Sequence, residues 1–285
     1  MGWNVHLISL RNTAGRHTVV AAGRMRNTGR GLDFLLECIG FPPDHPIEEI
    51  VQHVLRDGEP AAWRGDPARH RRLPLGGGLE LRMDREDDRL PWNLLPFFQT
   101  PHKLRIAVEE VRALPDSPFD ALMWGWVAPP VEESERRWSP GAYRLALNLM
   151  DARKLPKAMP KGHVLAVAAA GFALDLTRVA PGANDREARI EPLGHPEDPG
   201  GCAELSLLVR NIRHLRNPIT GIEVEALELD APERPQVVFT SRWQRERDGL
   251  PPPQVGGRVD GTFLFLGTVT GGLPGQAQAG GRSFG

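Results

Sequence analysis

The sequence is poor in cysteine, and this scarcity limits both its fold and its location. It has 2 cysteines, Cys38 and Cys202, too few for a disulfide framework and without histidines at metal-binding spacing. The N-terminus shows no pattern of an export signal. The longest apolar run, residues 164–174, is far shorter than the roughly 20 residues that span a bilayer. We therefore expect a cytoplasmic protein without membrane contact.

Lysine and familiar catalytic motifs are also scarce. Lysine occurs only at positions 103, 154, 157 and 161, so that arginine carries nearly all of the basic charge. The formal net charge is −1, which argues against a protein whose whole surface binds nucleic acid. No HExxH and no CxxC is present, and neither cysteine has the sequence context of a known nucleophile. These absences favour a protein that is not an enzyme and that carries no cofactor.

The chain up to residue 195 predicts a mixture of strands and short helices. Alternating apolar residues predict a hairpin from strands at 5–10 and 17–22. Between residues 31 and 55, apolar residues spaced by three and four predict two short helices, and Gly40 is placed to end the first. Residues 76–176 read mostly as strands, although 112–200 carries the weakest patterns.

The remaining chain predicts a small β-barrel. A Pro- and Gly-rich segment at 181–201 marks a domain boundary. Short strands then fill residues 196–271, with a bulge expected where the alternation shifts at 226–227. The last strand, 259–269, is apolar on both faces and is expected to be central or to lie inside a closed barrel. We therefore predict an α+β fold: two short helices packed on strands, a C-terminal OB-like β-barrel, and a flexible Gly-rich tail at 272–285.

Several sequence segments resemble segments of a known family. Residues 34–41 form a helix-like segment that ends in Ile-Gly-Phe, and residues 76–88 form a glycine-led strand followed by an acidic turn. Residues 217–229 join an Asn-led turn to a Glu- and Val-rich strand, and 249–267 form a terminal Gly- and aromatic-rich phrase. In these features the chain resembles an uncharacterised bacterial family, domain of unknown function 3881. The resemblance implies an organisation of elements and, slightly, a non-catalytic role.

The strongest candidate for a binding site is a basic patch in the predicted barrel. Its residues are Arg210, Arg213, His214, Arg216 and Trp243. Arginines and a tryptophan on one sheet face could bind single-stranded nucleic acid through charge and stacking. The surrounding glutamates dilute that charge, so contact with another protein and an ordinary solvated face remain open readings.

An acidic turn offers an alternative of a different class. Asp84, Asp87 and Asp88 could hold a hard cation, since carboxylate oxygens are the ligands that Ca²⁺ and Mg²⁺ prefer. With a histidine from elsewhere they would suit a metal-assisted hydrolase, whereas an exposed hairpin turn explains the same residues without a metal. Our leading hypothesis is a non-catalytic binding or scaffold subunit of a larger assembly, with another protein as its partner. Metal-assisted hydrolysis and nucleic-acid binding are the alternatives.

Overall fold

Strands dominate the structure, a computed structural model that describes residues 7–11, 17–21, 33–61, 69–85, 92–114, 120–130, 141–180, 187–195 and 198–274. Within these residues the strands form three sheets of two, four and nine strands. The α-helices in the same residues are few and short. The fold is mostly β, with more strand and less helix than the predicted α+β class implied.

The N-terminal elements follow the sequence patterns. Strands β1 (Leu7–Arg11) and β2 (His17–Ala21) pair antiparallel, which confirms the predicted hairpin. Helices α1 (Asp33–Glu37) and α2 (Ile47–Asp57) lie in the region that predicted two helices. Gly40 follows α1 with a φ of +86°, a left-handed conformation that glycine adopts without strain.

A four-stranded meander follows the helices. It consists of β3 (Glu59–Pro60), β4 (His70–Gly76), β5 (Leu79–Asp84) and β6 (Asn93–Phe98). The meander packs on the large sheet: the Phe98 ring lies 5.1 Å from the Phe239 ring, centroid to centroid, in an edge-on arrangement. Gly77 lies against the side chain of Leu215, where a Cβ would collide with it.

The nine-stranded sheet contains two segments with the same order of elements. The first has three antiparallel strands, a 3-10 helix and a long strand: β7 (Lys103–Ala113), β8 (Ala121–Val127), β9 (Tyr143–Leu149), Ala152–Lys154 and β10 (Val164–Ala180). The second has β12 (Asp198–Arg216), β13 (Glu223–Leu229), β14 (Gln236–Ser241), helix α3 (Arg242–Arg247) and β15 (Arg258–Gly271). An edge strand, β11 (Arg189–His195), pairs with β12. We refer to the two segments as the first unit and the second unit.

The two units exchange their long strands. β10 pairs antiparallel with β7 of its own unit and parallel with β14 of the second unit. In the same way, β15 pairs antiparallel with β12 of its own unit and parallel with β9 of the first. β10 and β15 also pair antiparallel with each other, with Gly171 opposite Phe265. Hydrogen-bonded neighbours therefore close two five-stranded rings that share β10 and β15, and the order of pairings in one ring repeats that in the other.

The details of the first strands support this internal symmetry. β7 and β12 each carry a register irregularity at the equivalent point, between Val108 and Glu110 and between Val209 and Asn211. The prediction of a bulge at 226–227 is wrong, because β13 pairs with β14 without a break in register. The prediction that the last strand is central is confirmed, since β15 has paired neighbours on both sides.

The predicted C-terminal segment, 196–271, nearly coincides with the second unit. The ring of that unit is completed by β10, which precedes the predicted boundary, and β11 and β12 pair across it. The two predicted parts of the chain thus share one sheet, and their division into separate domains stays a prediction. Most of the predicted tail, from residue 275, lies outside the described residues.

Candidate binding groove

A groove lies between the end of the β12–β13 hairpin and helix α3 of the second unit. Its volume is about 710 Å³. The lining mixes charged, apolar and aromatic side chains: His214, Leu215, Arg216, Gly221, Ile222, Glu223, Arg242, Trp243 and Glu246.

The turn that forms one wall is fastened to the segment after α1. Asn217 is buried, and its side-chain amide nitrogen donates to the Ile39 carbonyl oxygen at 2.8 Å. Its side-chain oxygen accepts the backbone N–H of Ile219 at 2.9 Å and that of Thr220 at 3.2 Å. The Thr220 hydroxyl donates to the Gly40 carbonyl oxygen at 2.6 Å. Because buried polar groups are costly to leave unpaired, this network holds the turn in one position.

Helix α3, the other wall, begins with a capping box. The Ser241 hydroxyl oxygen accepts the backbone N–H of Gln244 at 3.3 Å, and the Gln244 side-chain oxygen accepts the backbone N–H of Ser241 at 3.2 Å. The Gln244 side-chain nitrogen donates to the Ala173 carbonyl oxygen of β10 at 3.0 Å. These bonds stabilise a helix of only 6 residues and fix it to the shared strand.

A buried ion pair lies beside the groove. Arg245 of α3 donates from Nε and Nη2 to the two carboxylate oxygens of Glu225 on β13, with an Nε–Oε2 distance of 2.7 Å. The side chains of both residues are almost fully buried, Arg245 with 6% and Glu225 with 1% exposed. Burial raises the pKa of the Glu225 carboxyl, and the hydrogen bonds from Arg245 oppose part of that increase. Residues Val224 to Leu227 of β13 are all buried, on both faces of the strand, which accounts for the shift in alternation without a bulge.

The exposed charges of the groove are mostly paired with one another. His214 Nδ1 lies 2.6 Å from a carboxylate oxygen of Glu223, and Arg242 donates to Glu246 at 2.7 Å. Arg216 differs: its Nε donates to the Gly221 carbonyl oxygen at 2.8 Å, and no carboxylate of the described residues pairs with it. The guanidinium of Arg247 lies over the Trp243 ring, 5.2 Å from its centroid. Among the described residues, the groove therefore offers one cation without an acidic partner, Arg216, close to apolar and aromatic surface.

The structure separates the five residues of the predicted basic patch. His214, Arg216 and Trp243 line the groove. Arg213 points to the opposite face of β12, where its guanidinium lies 5.3 Å from the Phe98 ring centroid. Arg210 is exposed at the register irregularity of β12, outside the groove. Side chains alternate between the two faces of a strand, so the arginines could not form one continuous basic stripe.

Sequence reasoning missed α3 and the roles of Glu223 and Glu225. The Ser-x-x-Gln capping box at 241–244 was the available signal for the helix. No local signal marked the buried pair, since Glu225 and Arg245 meet only when α3 packs over β13.

The alternative acidic site is described only in part. Asp84 is buried at the end of β5, opposite the buried His70 of β4, so it does not lie on an exposed turn. Asp87 and Asp88 lie outside the described residues. The pattern Gly-Arg-Ser-Phe-Gly at 281–285, which matches a nucleophile-elbow sequence, also lies outside them.

The first unit provides an internal comparison for the groove. Counted from the register irregularity, His214 opposite Glu225 corresponds to Ala113 opposite Ala121. The position of α3 is taken by the 3-10 helix Ala152–Lys154. The same strand pairing therefore forms without an imidazole, a carboxylate or a buried ion pair at these positions.

Comparison of the chain with protein-family models, with curated proteins and with solved structures gives no match. The resemblance to domain of unknown function 3881 thus stays a prediction. Among the described residues, no helix has the length and apolar character needed to cross a membrane.

Proposed function

We propose that this protein is a non-catalytic binding or scaffold subunit of a larger assembly, and that its groove holds a segment of a partner protein. The observation that carries the proposal is Arg216, a cation without a carboxylate partner among the described residues, in a groove that Ile222 and Trp243 also line. A charged hydrogen-bond donor next to amphipathic aromatic surface is typical of protein contact sites, where Trp and Arg contribute most of the binding energy.

The lining suggests the chemistry of the partner segment. A carboxylate of the partner would pair with Arg216, and a neighbouring apolar side chain would pack on Trp243 and Ile222. The groove walls are fixed in advance by the Asn217 network and the α3 capping box. Little ordering of the groove would accompany binding, which favours affinity.

The same charges favour a protein segment over a nucleic-acid strand. Glu223 and Glu246 line the groove and would face the phosphates of a bound strand. Arg213, which the nucleic-acid hypothesis requires beside Arg216, lies on the other face of β12. Nucleic-acid binding is therefore not the function that we propose for the groove.

The proposal extends to fold and location. We infer that the ring of β12, β13, β14, β10 and β15 is the small OB-like barrel that the sequence predicts, with β10 as its fifth strand. The five-membered circuit of pairings supports this assignment. We also propose a cytoplasmic location, which is consistent with two cysteines that are both buried and free.

Selection from a peptide library tests the proposed chemistry. A phage-displayed library of random 12-residue peptides is selected against the immobilised full-length chain, and the enriched peptides are measured by fluorescence anisotropy. We expect an acidic residue close to an apolar one, with affinity reduced about ten-fold or more by Arg216→Ala, the scale of a lost charged hydrogen bond. Trp243→Ala should also weaken binding, whereas the control Arg210→Ala should not. No enrichment, or equal binding by all three variants, contradicts the proposal.

A further inference from the structure

Three potential metal ligands converge at the edge of the groove. His214 on β12 lies directly opposite Glu225 on β13, and Glu223 lies two residues before Glu225 on the same strand. Directly opposed side chains of an antiparallel pair share a face, so all three point to the same side. One ligand atom from each lies within 4.8 Å of the others, and no other group of three such residues occurs among the described residues.

We infer that His214, Glu223 and Glu225 form a binding site for a divalent transition metal of the zinc type. An imidazole nitrogen with two carboxylate oxygens is a ligand set that Zn²⁺ accepts, leaving a fourth position for water from the groove. The histidine separates this group from a merely acidic cluster, which would suit Ca²⁺ or Mg²⁺ instead.

The geometry requires small movements of exposed side chains only. Bonds of about 2.1 Å at tetrahedral angles place ligand atoms about 3.4 Å apart. His214 and Glu223, whose paired atoms lie 2.6 Å apart, must separate slightly, and the three ligand atoms, all within 4.8 Å of one another, need only small rotations of these two side chains. Their side chains are 58% and 39% exposed and can do so. Glu225 stays in place, because Arg245 donates to both of its carboxylate oxygens, each of which keeps a further lone pair for a metal ion.

Arg245 acts on this site as an orienting residue. Carboxylates that ligate metals are themselves commonly hydrogen-bonded by a neighbouring group that fixes their direction. His214 Nδ1 and a Glu223 carboxylate oxygen lie 2.6 Å apart, so these two side chains already meet on one face of the hairpin. Metal binding requires only that His214 present a nitrogen lone pair to the ion.

The first unit argues against a purely structural role for these side chains. Ala113 and Ala121 occupy the positions of His214 and Glu225 there, and the corresponding strands pair in the same register. Arg216 and Trp243, which carry the proposed partner contact, are not metal ligands. Metal binding and partner binding can consequently be lost separately, so each proposal can be disproved without the other.

Titration of the purified full-length chain with Zn²⁺ and with Co²⁺ tests the inference. Isothermal calorimetry should show one site for Zn²⁺, and Co²⁺ should give the visible absorption bands of a four- or five-coordinate complex. His214→Ala and Glu223→Gln should each weaken binding at least about ten-fold, the scale on which even an outer-shell partner affects metal affinity. One control should leave binding unchanged: His102→Ala, which removes a histidine outside the ligand set.

Circular dichroism checks that each variant is folded. The absence of a binding heat and of cobalt bands would overturn the inference. Binding that persists unchanged in His214→Ala and Glu223→Gln would overturn it equally, since the metal would then be held elsewhere. Peptide selection on the metal-free chain gives a separate answer for the proposed partner site.

Discussion

The two units of the large sheet share a strand plan and differ at one end of their first hairpin. Both have three antiparallel strands with a register irregularity in the first, and in both the long strand pairs parallel with a strand of the other unit. The first unit has alanines at the hairpin end, whereas the second has His214 and Glu225 and a helix that covers part of the hairpin. The ring closes in both cases, so the charged groove is an addition to the fold and not a condition of it.

The largest expected effect concerns the buried pair that distinguishes the second unit. Glu225→Gln leaves Arg245 buried without a counter-charge and should lower the free energy of unfolding by about 3–5 kcal/mol. Urea denaturation at pH 7 measures the change. The matched control, Glu223→Gln, makes the same substitution two residues away on a 39% exposed side chain and should change stability little. If both variants lose the same unfolding free energy, the burial of Glu225 under α3 does not explain its contribution to stability.

A double substitution sharpens this point. Replacing both residues, Glu225→Leu with Arg245→Leu, removes the charges together and should recover most of the stability lost in the single variant. If the double variant is as unstable as Glu225→Gln, the ion pair contributes to the second unit in a way that apolar packing cannot replace.

The next largest effect concerns the hydrogen bonds between the hairpin turn and the segment after α1. Asn217→Ala removes three hydrogen bonds of a buried side chain and should cost about 2 kcal/mol of unfolding free energy. It should also weaken binding of a selected peptide, because the groove wall becomes mobile. Asn217→Asp keeps an accepting oxygen, so its unfolding free energy should lie between that of the wild-type chain and that of Asn217→Ala. An unchanged denaturation midpoint for Asn217→Ala would contradict the role of this network.

A smaller effect is expected from the two thiols. Burial raises the pKa of Cys202 to about 12 and that of Cys38 well above its ordinary value. Neither should react with a thiol reagent at pH 8 until the chain unfolds. A thiol pKa raised in the folded state contributes stability that is present below the unfolded value of about 9 and is lost as pH rises towards 12. Cys202→Ala should therefore flatten the decline in stability over that pH range, and rapid labelling of the native protein would contradict this account.

The smallest effect is expected for His214→Ala. The first unit already has alanine at the corresponding position, so the melting temperature should not change measurably in metal-free buffer. A loss comparable to that of Glu225→Gln would mean that the imidazole supports the fold itself. The comparison between the units would then no longer separate folding from function.

Local patterns predicted many of the elements. Apolar alternation indicated β7, β12 and the start of β13, apolar clusters without a clear period indicated β8 and β9, and three- and four-residue spacing indicated α2. The duplication could not be seen in this way, because the units share pairing geometry rather than residues, as Ala113 and His214 illustrate. Ring closure depends on the parallel contact of β10 with β14, which is remote in sequence and has no local signature.

The groove was predictable in part. His214, Arg216 and Trp243 were identified because basic and aromatic residues are conspicuous in a short segment. The period of two along a strand could have excluded Arg213 from the same surface. Glu225 was taken for one of several diluting charges, since its burial depends on Arg245, twenty residues later in the chain.

Site-specific photo-crosslinking tests the proposed partner groove most directly. A benzophenone amino acid is introduced in place of Trp243, or in place of Arg210 as an exposed control outside the groove, and the full-length chain is irradiated in its native host. We predict one discrete crosslinked protein from position 243, which disappears when Arg216→Ala is added, and no equivalent product from position 210. Identical products from both positions, or none from position 243, would contradict the claim that the groove binds a partner protein.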